Sequence, residues 1–498
     1  MNIVGFDFGT TNTVISRIEE GVPRNYFDSE TGQPIPSVVC YDGVKKIVGR
    51  EAKKRLSTAG QGVHGNIVRS PKSDLDKDTL IIEGVPKNVI DIVADIILGI
   101  KEQINIEVDN FDAAVVTIPV NFDGRRRKAL RSAFHQAGIR VKQFIHEPLA
   151  ALYGYIRKNC GSFNEAVAKF GSNYILVFDW GGGTLDLTLC RIFNGQVLQL
   201  QNQGTDDVGG DHFDVAIKNA VIKRVREIEK IPLDVEFTSD AEARLLSKCE
   251  AAKIELSNRE SAVLFVPNFF LKEEPNDLKF LLERKLVQEI VDRLVRSGIK
   301  RISDVLDRAE IKPPQVGLCL ATGGMVNMPI IRSRLYELFG ASQVEFSCTT
   351  GASIAEGAAW IAHDETVLVL ARDLEVSLAR NSYLPIVKAG TKMPLEDNVH
   401  SVTHGIYCVD PRDGCAKINY TSPIISREKS QLTDQRDHLG SMTLEVYSNS
   451  PPFNERLNLE SKIDQDLIFH GSVVSLLTEK KETISITGLE FALPIGVQ

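Results

Sequence analysis

The chain has 498 residues, of which 43% are hydrophobic and 25% are charged, as is ordinary for a soluble globular protein with two to four domains. Its net charge of −8 argues against a general nucleic-acid binder, and no apolar run is long enough to span a membrane. The eight cysteines are scattered without a Cys-x-x-Cys pair, and the N-terminus has no signal-peptide pattern, so we expect a reduced, cytoplasmic protein.

A turn of small residues follows the first apolar run. Residues 3–6 are strand-like, Asp7 ends that strand, and the turn before the next strand-like run, 14–18, contains Gly9, Thr10, Thr11 and Asn12. Glycine in such a turn lets backbone N–H groups crowd around an anion. A single hairpin of this kind is more often an ordinary turn than a phosphate site.

The same pattern returns about 170 residues later. Residues 174–178 are strand-like, Asp179 ends the strand, and the turn that follows contains Gly181, Gly182, Gly183 and Thr184. Two hairpins with an acid in the same place indicate a duplicated α/β lobe. The two acids would repel phosphate unless a cation lay between them. We therefore expect a nucleotide between the lobes with Mg²⁺ bridged by Asp7 and Asp179.

A third turn lies in the second half of the chain. Residues 316–320 are strand-like, Gly323 and Gly324 follow, and residues 330–339 have helical periodicity. A strand, a Gly-Gly turn and a helix start can hold a nucleoside against bare backbone, although alone they favour an ordinary strand–helix turn. Helices are also predicted over 240–256, 280–309 and 351–360.

In their order, these motifs resemble those of the actin-like ATPase superfamily and, within it, the heat shock protein 70 chaperones of DnaK type. The resemblance covers residues 2–363. It also includes a Pro-Ser strand, a switch segment, a Glu-Pro motif, a Gly-Gly-acid motif and an adenosine-contacting helix, at residues 35–39, 116–127, 146–151, 209–214 and 249–257. It implies an α/β actin-like ATPase domain of two ribonuclease-H-like lobes, followed by an antiparallel β-sandwich domain.

The resemblance also implies roles for individual residues. Asp7 and Asp179 would hold Mg²⁺ through its waters, because Mg²⁺ dehydrates reluctantly. Lys72 would stabilise the γ-phosphate and position the attacking water. That water would be oriented by Glu147, Thr184 and Asp186. ATP or ADP would be bound by the residues of the two hairpin turns and by Gly209, Gly210, Asp211, Glu250, Lys253, Ser257, Gly323, Gly324 and Met325. Pro119 and Arg127 resemble the allosteric switch of the family.

The base side of this expected site departs from the family pattern. Ile254 stands where the family usually has arginine, and Met325 and Asn327 stand where it usually has serine and arginine. Two guanidinium planes that would sandwich adenine are therefore absent, and we expect relaxed base selectivity.

The resemblance divides the chain into an ATPase domain (1–365), a linker (366–380) and a β-sandwich without a helical lid (381–498). Within the ATPase domain, lobe I covers about 1–170 and lobe II about 171–363. Strand signals at 383–387, 399–403, 443–447, 471–477 and 483–487 support the sandwich. From composition alone, the apolar segment 366–378 is explained equally well as an interdomain linker and as an ordinary strand or connector.

We therefore expect an ATP-dependent chaperone whose slow Mg-ATP hydrolysis switches its affinity for extended polypeptide. Unfolded polypeptide is the expected partner, J-domain and nucleotide-exchange co-chaperones are candidate partners, and neither nucleic acid nor membrane is expected. The alternatives are a sugar or small-molecule kinase of the same superfamily and a nucleotide-binding pseudo-ATPase scaffold.

Overall fold

A computed structural model describes residues 3–55, 62–104, 111–205, 207–271, 276–347, 351–395, 399–425 and 432–495. Strands and helices alternate in the N-terminal region. Its strands are β1 (Ile3–Phe8), β2 (Asn12–Glu19), β3 (Val22–Tyr26), β4 (Ile35–Pro36), β5 (Val38–Asp42), β6 (Lys45–Val48), β7 (Gly62–His64), β8 (Ile67–Arg69), β9 (Thr79–Ile82), β10 (Val85–Asn88), β11 (Ala113–Ile118) and β12 (Arg140–His146). Its helices are α1 (Arg50–Lys54), α2 (Val89–Ile104), α3 (Gly124–Gln136), α4 (Glu147–Asn159) and α5 (Phe163–Phe170).

The first sheet has the order β12-β11-β1-β2-β3, and β4 pairs with β2. Strands β1, β2 and β3 are antiparallel, whereas β1, β11 and β12 are parallel. Their central strands are apolar on both faces, as expected of strands covered by helices on each side. A smaller sheet, β6-β5-β8-β7, and the hairpin β9–β10 stand beside it.

The next region repeats this arrangement. Its strands are β13 (Tyr174–Trp180), β14 (Leu185–Phe193), β15 (Gln196–Thr205), β16 (Ser261–Val266), β17 (Leu278–Glu283), β18 (Val316–Thr322) and β19 (Val344–Phe346). Its helices are α6 (Gly210–Ile228), α7 (Ser239–Glu255), α8 (Arg284–Arg308), α9 (Pro329–Phe339) and α10 (Ser353–His363). The second sheet begins β19-β18-β13-β14-β15, with an antiparallel hairpin followed by parallel strands in the same order as the first sheet.

Helix α10 connects this second region to the first sheet. A Cβ on Gly5 in β1 would lie 2.3 Å from the Ala355 carbonyl oxygen, so glycine there allows α10 to pack directly on the strand backbone. Gly357 in α10 likewise lies against the Ala150 backbone of α4. Small residues thus hold the two regions close together.

The remaining strands are β20 (Val369–Leu370), β21 (Leu374–Ser377), β22 (Tyr383–Val387), β23 (His400–Tyr407), β24 (Cys415–Ile425), β25 (Leu432–Glu445), β26 (Arg456–Ile463), β27 (Phe469–Ser475), β28 (Lys481–Ile486) and β29 (Phe491–Pro494). Strands β21 to β28 form two antiparallel sheets, β22-β21-β24-β25 and β23-β26-β27-β28, which we call the β-domain.

Two strands lie in sheets that the sequence did not predict. Strand β29 falls within the range predicted for the β-sandwich, 381–498, yet it pairs with β15 of the second sheet, and β20 pairs with β29. Strand β21 falls within the predicted linker, yet it pairs with β22 and β24 of the β-domain. An apolar run predicts a buried strand but carries no information about a distant partner. Across the described residues, no helix is long and apolar enough to cross a membrane.

Candidate nucleotide site

The two predicted acids occupy equivalent positions in the two sheets. Asp7 lies near the end of β1 opposite Val14 of β2, and Asp179 lies near the end of β13 opposite Asp186 of β14. The Thr117 hydroxyl, from β11, donates a hydrogen bond of 2.7 Å to Asp7 Oδ1. The strands thereby present carboxylates from both sheets toward one cleft.

Lys72 is buried beside this cleft. It lies in a 3₁₀ turn, Pro71–Asp74, and is only 2% exposed. Its Nζ lies 3.1 Å from Glu147 Oε1, at the start of α4, and 5.7 Å from the centroid of the Phe122 ring. A buried ammonium is stable only when it is paired, and Glu147 supplies that pairing here.

Negative charge is in excess around this lysine. Burial, followed by the charge of Glu147, raises the pKa of Asp7 to about 6 and that of Asp186 to about 7. The same two causes, with the charge of Asp186, raise the pKa of Asp179 well above its usual range. Four carboxyl groups facing one ammonium form a site that favours an added cation.

The donor set fits Mg²⁺ held mainly through water. Carboxylate oxygens are the protein ligands that Mg²⁺ prefers, and it usually keeps several of its waters. Within the described ranges, no group of three or more His, Cys, Asp or Glu side chains is close enough to hold a metal ion directly. Asp7 and Asp179 are the residues that would face the hydrated ion.

The glycine turns converge on the same place. A Cβ on Gly182 would lie 3.2 Å from Thr11 Oγ1, so the turns of the two hairpins meet. A Cβ on Gly209 would lie 2.3 Å from the Gly183 carbonyl oxygen, and one on Gly323, where φ is 87°, would lie 2.6 Å from Asp179 Oδ1. A side chain at Gly209 or Gly323 would displace the turns, so glycine at these two positions allows their close approach.

The residues predicted to contact the nucleoside also come together. The Gly210 and Asp211 amides donate to the Gly181 and Gly182 carbonyls, at 3.2 and 2.8 Å, which fixes the second hairpin turn against the start of α6. A Cβ on Gly210 would lie 2.9 Å from Met325 Sδ and 3.1 Å from Lys253 Nζ. These contacts place the predicted phosphate and nucleoside residues side by side.

Some predicted nucleoside residues are engaged by the protein itself. Lys253 Nζ lies 2.8 Å from Asp214 Oδ2 and donates to the Gly210 carbonyl at 3.1 Å. Glu250 forms an ion pair with Lys53 of α1 at 3.6 Å, and the Ser257 hydroxyl donates to the Lys253 carbonyl at 3.5 Å. Glu250 therefore links α7 of the second region to α1 of the first region.

The three residues predicted for the base side differ in their exposure and contacts. Ile254 is 62% exposed, whereas Met325 is buried. Asn327 accepts a hydrogen bond of 3.0 Å from Arg332 Nη2, and Arg332 also lies over the Phe346 ring with its Cζ 4.4 Å from the centroid. The Asn327 side chain is thus held within the turn.

The predicted switch residues lie on the path from this site to the β-domain. Pro119 follows β11, and its carbonyl accepts a hydrogen bond from the Phe122 amide at 3.1 Å. Arg127 in α3 is 2% exposed, and its Nη2 donates to the Thr487 carbonyl at 3.2 Å. Arg131, one turn later, pairs with Asp466 at 2.7 Å. Helix α3 therefore contacts the β-domain directly.

Sequence reasoning missed three supporting residues. Thr117 and Phe122 both lie within the switch segment but had no assigned role, and the Phe122 ring lies beneath Lys72. Gln143 is buried and binds segment 366–370 at both ends of its amide. Its Nε2 donates to the Thr366 carbonyl at 2.6 Å, and its Oε1 accepts from the Leu368 amide at 3.4 Å. Only knowledge of the fold shows these contacts.

Comparison with known proteins identifies the family. A sequence model described as Hsp70 protein matches residues 3–79 and 67–493. Chaperone protein DnaK of Ureaplasma parvum serovar 3 is 26% identical over 500 residues, which cover 97% of this chain and 78% of that protein. Chaperone protein dnaK1 of Prochlorococcus marinus subsp. pastoris is 26% identical over 527 residues, with 98% and 74% covered.

Chaperone protein dnaK1 of Synechocystis sp. is 30% identical over 381 residues, which cover 72% of this chain and 53% of that protein. The family match spans nearly the whole chain and includes every motif from which the resemblance was drawn. It confirms the predicted family, and with it an ATP-hydrolysing chaperone rather than a kinase. The chain belongs to the Hsp70 family.

Proposed function

We propose that this Hsp70-type chaperone binds Mg-ATP in the cleft between two ribonuclease-H-like lobes and hydrolyses it slowly. The nucleotide state would then switch the affinity of the β-domain for extended polypeptide. The observation that carries this proposal is the meeting of Asp7, Asp179 and Asp186 with the buried Lys72–Glu147 pair, beside glycine turns from both sheets.

Each group in this cluster has a distinct proposed role. Hydrated Mg²⁺ facing Asp7 and Asp179 would neutralise the phosphates, which is the main requirement of phosphoryl transfer to water. Lys72 would stabilise the γ-phosphate as its charge redistributes. Glu147, Thr184 and Asp186 would orient the attacking water.

We assign lobe I to about residues 1–170 and lobe II to about 171–363. The predicted linker, residues 366–380, is called the connector. The matching strand orders of the first and second sheets support this division. The direct contacts of Arg127 and Arg131 with the β-domain support a route by which nucleotide state reaches it.

A client surface is proposed at the end of the β-domain remote from the ATPase domain. Exposed apolar side chains gather near the buried Glu455: Tyr407, Val409, Tyr447, Phe453, Leu476 and Leu477. The Glu455 carbonyl accepts a hydrogen bond of 2.9 Å from the Cys408 amide, and its Oε2 accepts one of 3.0 Å from the Tyr447 amide, so Glu455 holds these loops together. Such a patch suits an extended apolar peptide, which a β-domain can bind through main-chain hydrogen bonds and side-chain pockets.

J-domain and nucleotide-exchange co-chaperones are proposed as partners, and the cytoplasm as the location. Six of the cysteines are buried and none forms a disulfide among the described residues, which is compatible with a reducing compartment.

Fluorescence anisotropy of a labelled apolar peptide, titrated with the full chain in ADP and in ATP, tests the coupling. We expect weak binding that ATP weakens further, with rapid dissociation because affinity differences lie mostly in the off-rate. Tyr447→Ser and Phe453→Ser should reduce binding, whereas Val44→Ser, a fully exposed residue of the ATPase domain, serves as the control. Absence of peptide binding in every nucleotide state would contradict the client assignment while leaving ATP hydrolysis open to separate measurement.

A further inference from the structure

The second sheet continues beyond its repeated strands. After β15 its order is β29 and then β20, so a strand from the C-terminal part of the chain lies between the ATPase domain and the connector. Gln196, Val197 and Leu198 of β15 face Pro494, Leu493 and Ala492 of β29 in antiparallel register. The Ile495 amide extends this pairing by donating to the Gly195 carbonyl at 2.7 Å.

Strand β29 is buried on both of its faces. Phe491, Ala492, Leu493 and Ile495 are each at most 1% exposed. Ala492 packs in a small cluster with Leu198 of β15 and Val369 of β20. A strand that buries every apolar side chain and pairs on both edges is an internal strand of the sheet.

The connector rests on this strand. Val369 and Leu370 pair with Ala492 and Phe491, and the Ala371 amide donates to the Glu490 carbonyl at 2.9 Å. Arg372 then forms ion pairs with Glu490 at 2.7 Å and with Asp437 of the β-domain at 2.6 Å. The residues that precede the β-domain in the chain are thus held by residues that follow it.

We propose that residues 490–495 are an intramolecular docking strand on which the connector 368–372 binds. Strand β29 adds to the edge of β15 in the manner of an extended peptide, and β20 then adds to the edge of β29. Both ends of the β-domain are thereby fixed to the ATPase domain at one place. Loss of β29 from the sheet would therefore also release the connector.

The physical reason lies in the edges of the strands. Without β29, strand β15 would be an edge strand whose backbone N–H and C=O groups lack partners. Such an unpaired, apolar edge is unfavourable. The connector strand is only two residues long, so it can cover little of that edge by itself. The four-residue β29 supplies the missing length and the apolar face.

The proposal is tested without nucleotide or peptide, so that its result does not depend on hydrolysis or client binding. A variant that ends at Leu489 is compared with one that ends at Ile495. Trypsin cleavage after Arg372 and amide exchange of residues 366–373 measure connector docking. We expect at least about tenfold faster cleavage and exchange in the shorter variant only, because Arg372 is 10% exposed while docked. Added synthetic peptide of residues 488–495 should restore protection, and a scrambled peptide should not.

A reversible crosslink keeps the test valid if the shorter variant does not fold. Leu198 and Ala492 are directly opposite, so Leu198→Cys with Ala492→Cys can form a cross-strand disulfide. Oxidation should slow amide exchange of residues 366–373 at least about tenfold relative to the reduced protein. A control pair at the edge of the first sheet, Arg17→Cys with Arg24→Cys, should have no such effect. Equal connector exchange in oxidised and reduced protein, or unchanged protection in a folded shorter variant, would overturn the proposal.

Discussion

The first and second sheets share one strand order, yet they differ in two places. Opposite the acid at the strand end, the first sheet has Val14 and the second has Asp186. At the far edge, the order of the first sheet ends with β3, whereas the second continues through β29 and β20. Duplication thus supplies the paired acids Asp7 and Asp179, and the departures from symmetry supply an additional catalytic candidate and the attachment of the β-domain.

The two halves also depend on each other. Lys72 and Glu147 come from the first region, and their charges act on Asp186 of the second. A hydrogen bond of 2.9 Å joins His146, at the end of β12, to Gln199 of β15. The cleft is therefore a joint product of both sheets, and single substitutions can separate the contributions.

The largest effect is expected for Lys72→Ala. Its ammonium matters most where γ-phosphate charge redistributes, so turnover should fall about 100-fold while nucleotide binding changes little. Single-turnover hydrolysis and equilibrium binding measure the two quantities. Lys77→Ala, which removes an exposed lysine from the same segment, is the control. A single-turnover rate equal to that of the wild type would show that Lys72 is only structural.

Substitution of the paired acids tests the equivalence of the two hairpins. Asp7→Asn and Asp179→Asn should each weaken Mg-ATP binding by about tenfold or more, because each removes a charge that faces the hydrated ion. Asp186→Asn, which has no counterpart in the first sheet, should lower turnover but retain binding. Isothermal titration with and without Mg²⁺ makes the comparison, with the exposed Asp112→Asn as control. Undiminished affinity in both Asp7→Asn and Asp179→Asn would rule out the metal assignment.

The contact of His146 between the sheets should make an acid-sensitive contribution to stability. Burial lowers the pKa of His146 from 6.5 to about 4, so the folded protein favours the neutral ring. The contribution of His146 to stability is therefore fully present above pH 6.5 and is lost as pH decreases toward 4, by up to roughly 3 kcal/mol. Urea unfolding from pH 7 to pH 4.5 should show a smaller loss for His146→Asn than for the wild type. The exposed His212→Asn should follow the wild type, and an unchanged profile in His146→Asn would contradict this origin.

Much of the architecture could be predicted from local pattern. Strand β22 was predicted with its observed bounds, and α7, α9 and β18 within two residues or so, because their apolar periodicity is local. The convergence of the glycine turns followed from the repeat and the family resemblance. The docking of β29 and the role of Gln143 could not be predicted, because both depend on contacts between residues more than two hundred positions apart. No local pattern specifies such partners.

The smallest expected effect concerns the base. The predicted phosphate side keeps the acids, lysine and glycines of the motifs, whereas the predicted base side has Ile254 and Asn327 where the resemblance implies arginine. An apolar surface and an asparagine held by Arg332 provide less stacking area than two guanidinium planes, and each lost cation–π contact costs about 0.5–2 kcal/mol. GTP should therefore compete with labelled ATP within about tenfold of unlabelled ATP. Ile254→Arg should increase the preference for ATP, whereas Leu233→Arg, which places arginine at another exposed position of the same region, should not. A large preference for ATP in the unmodified chain would show that other residues recognise the base, and the buried Met325 beside Gly210 would be the first to test.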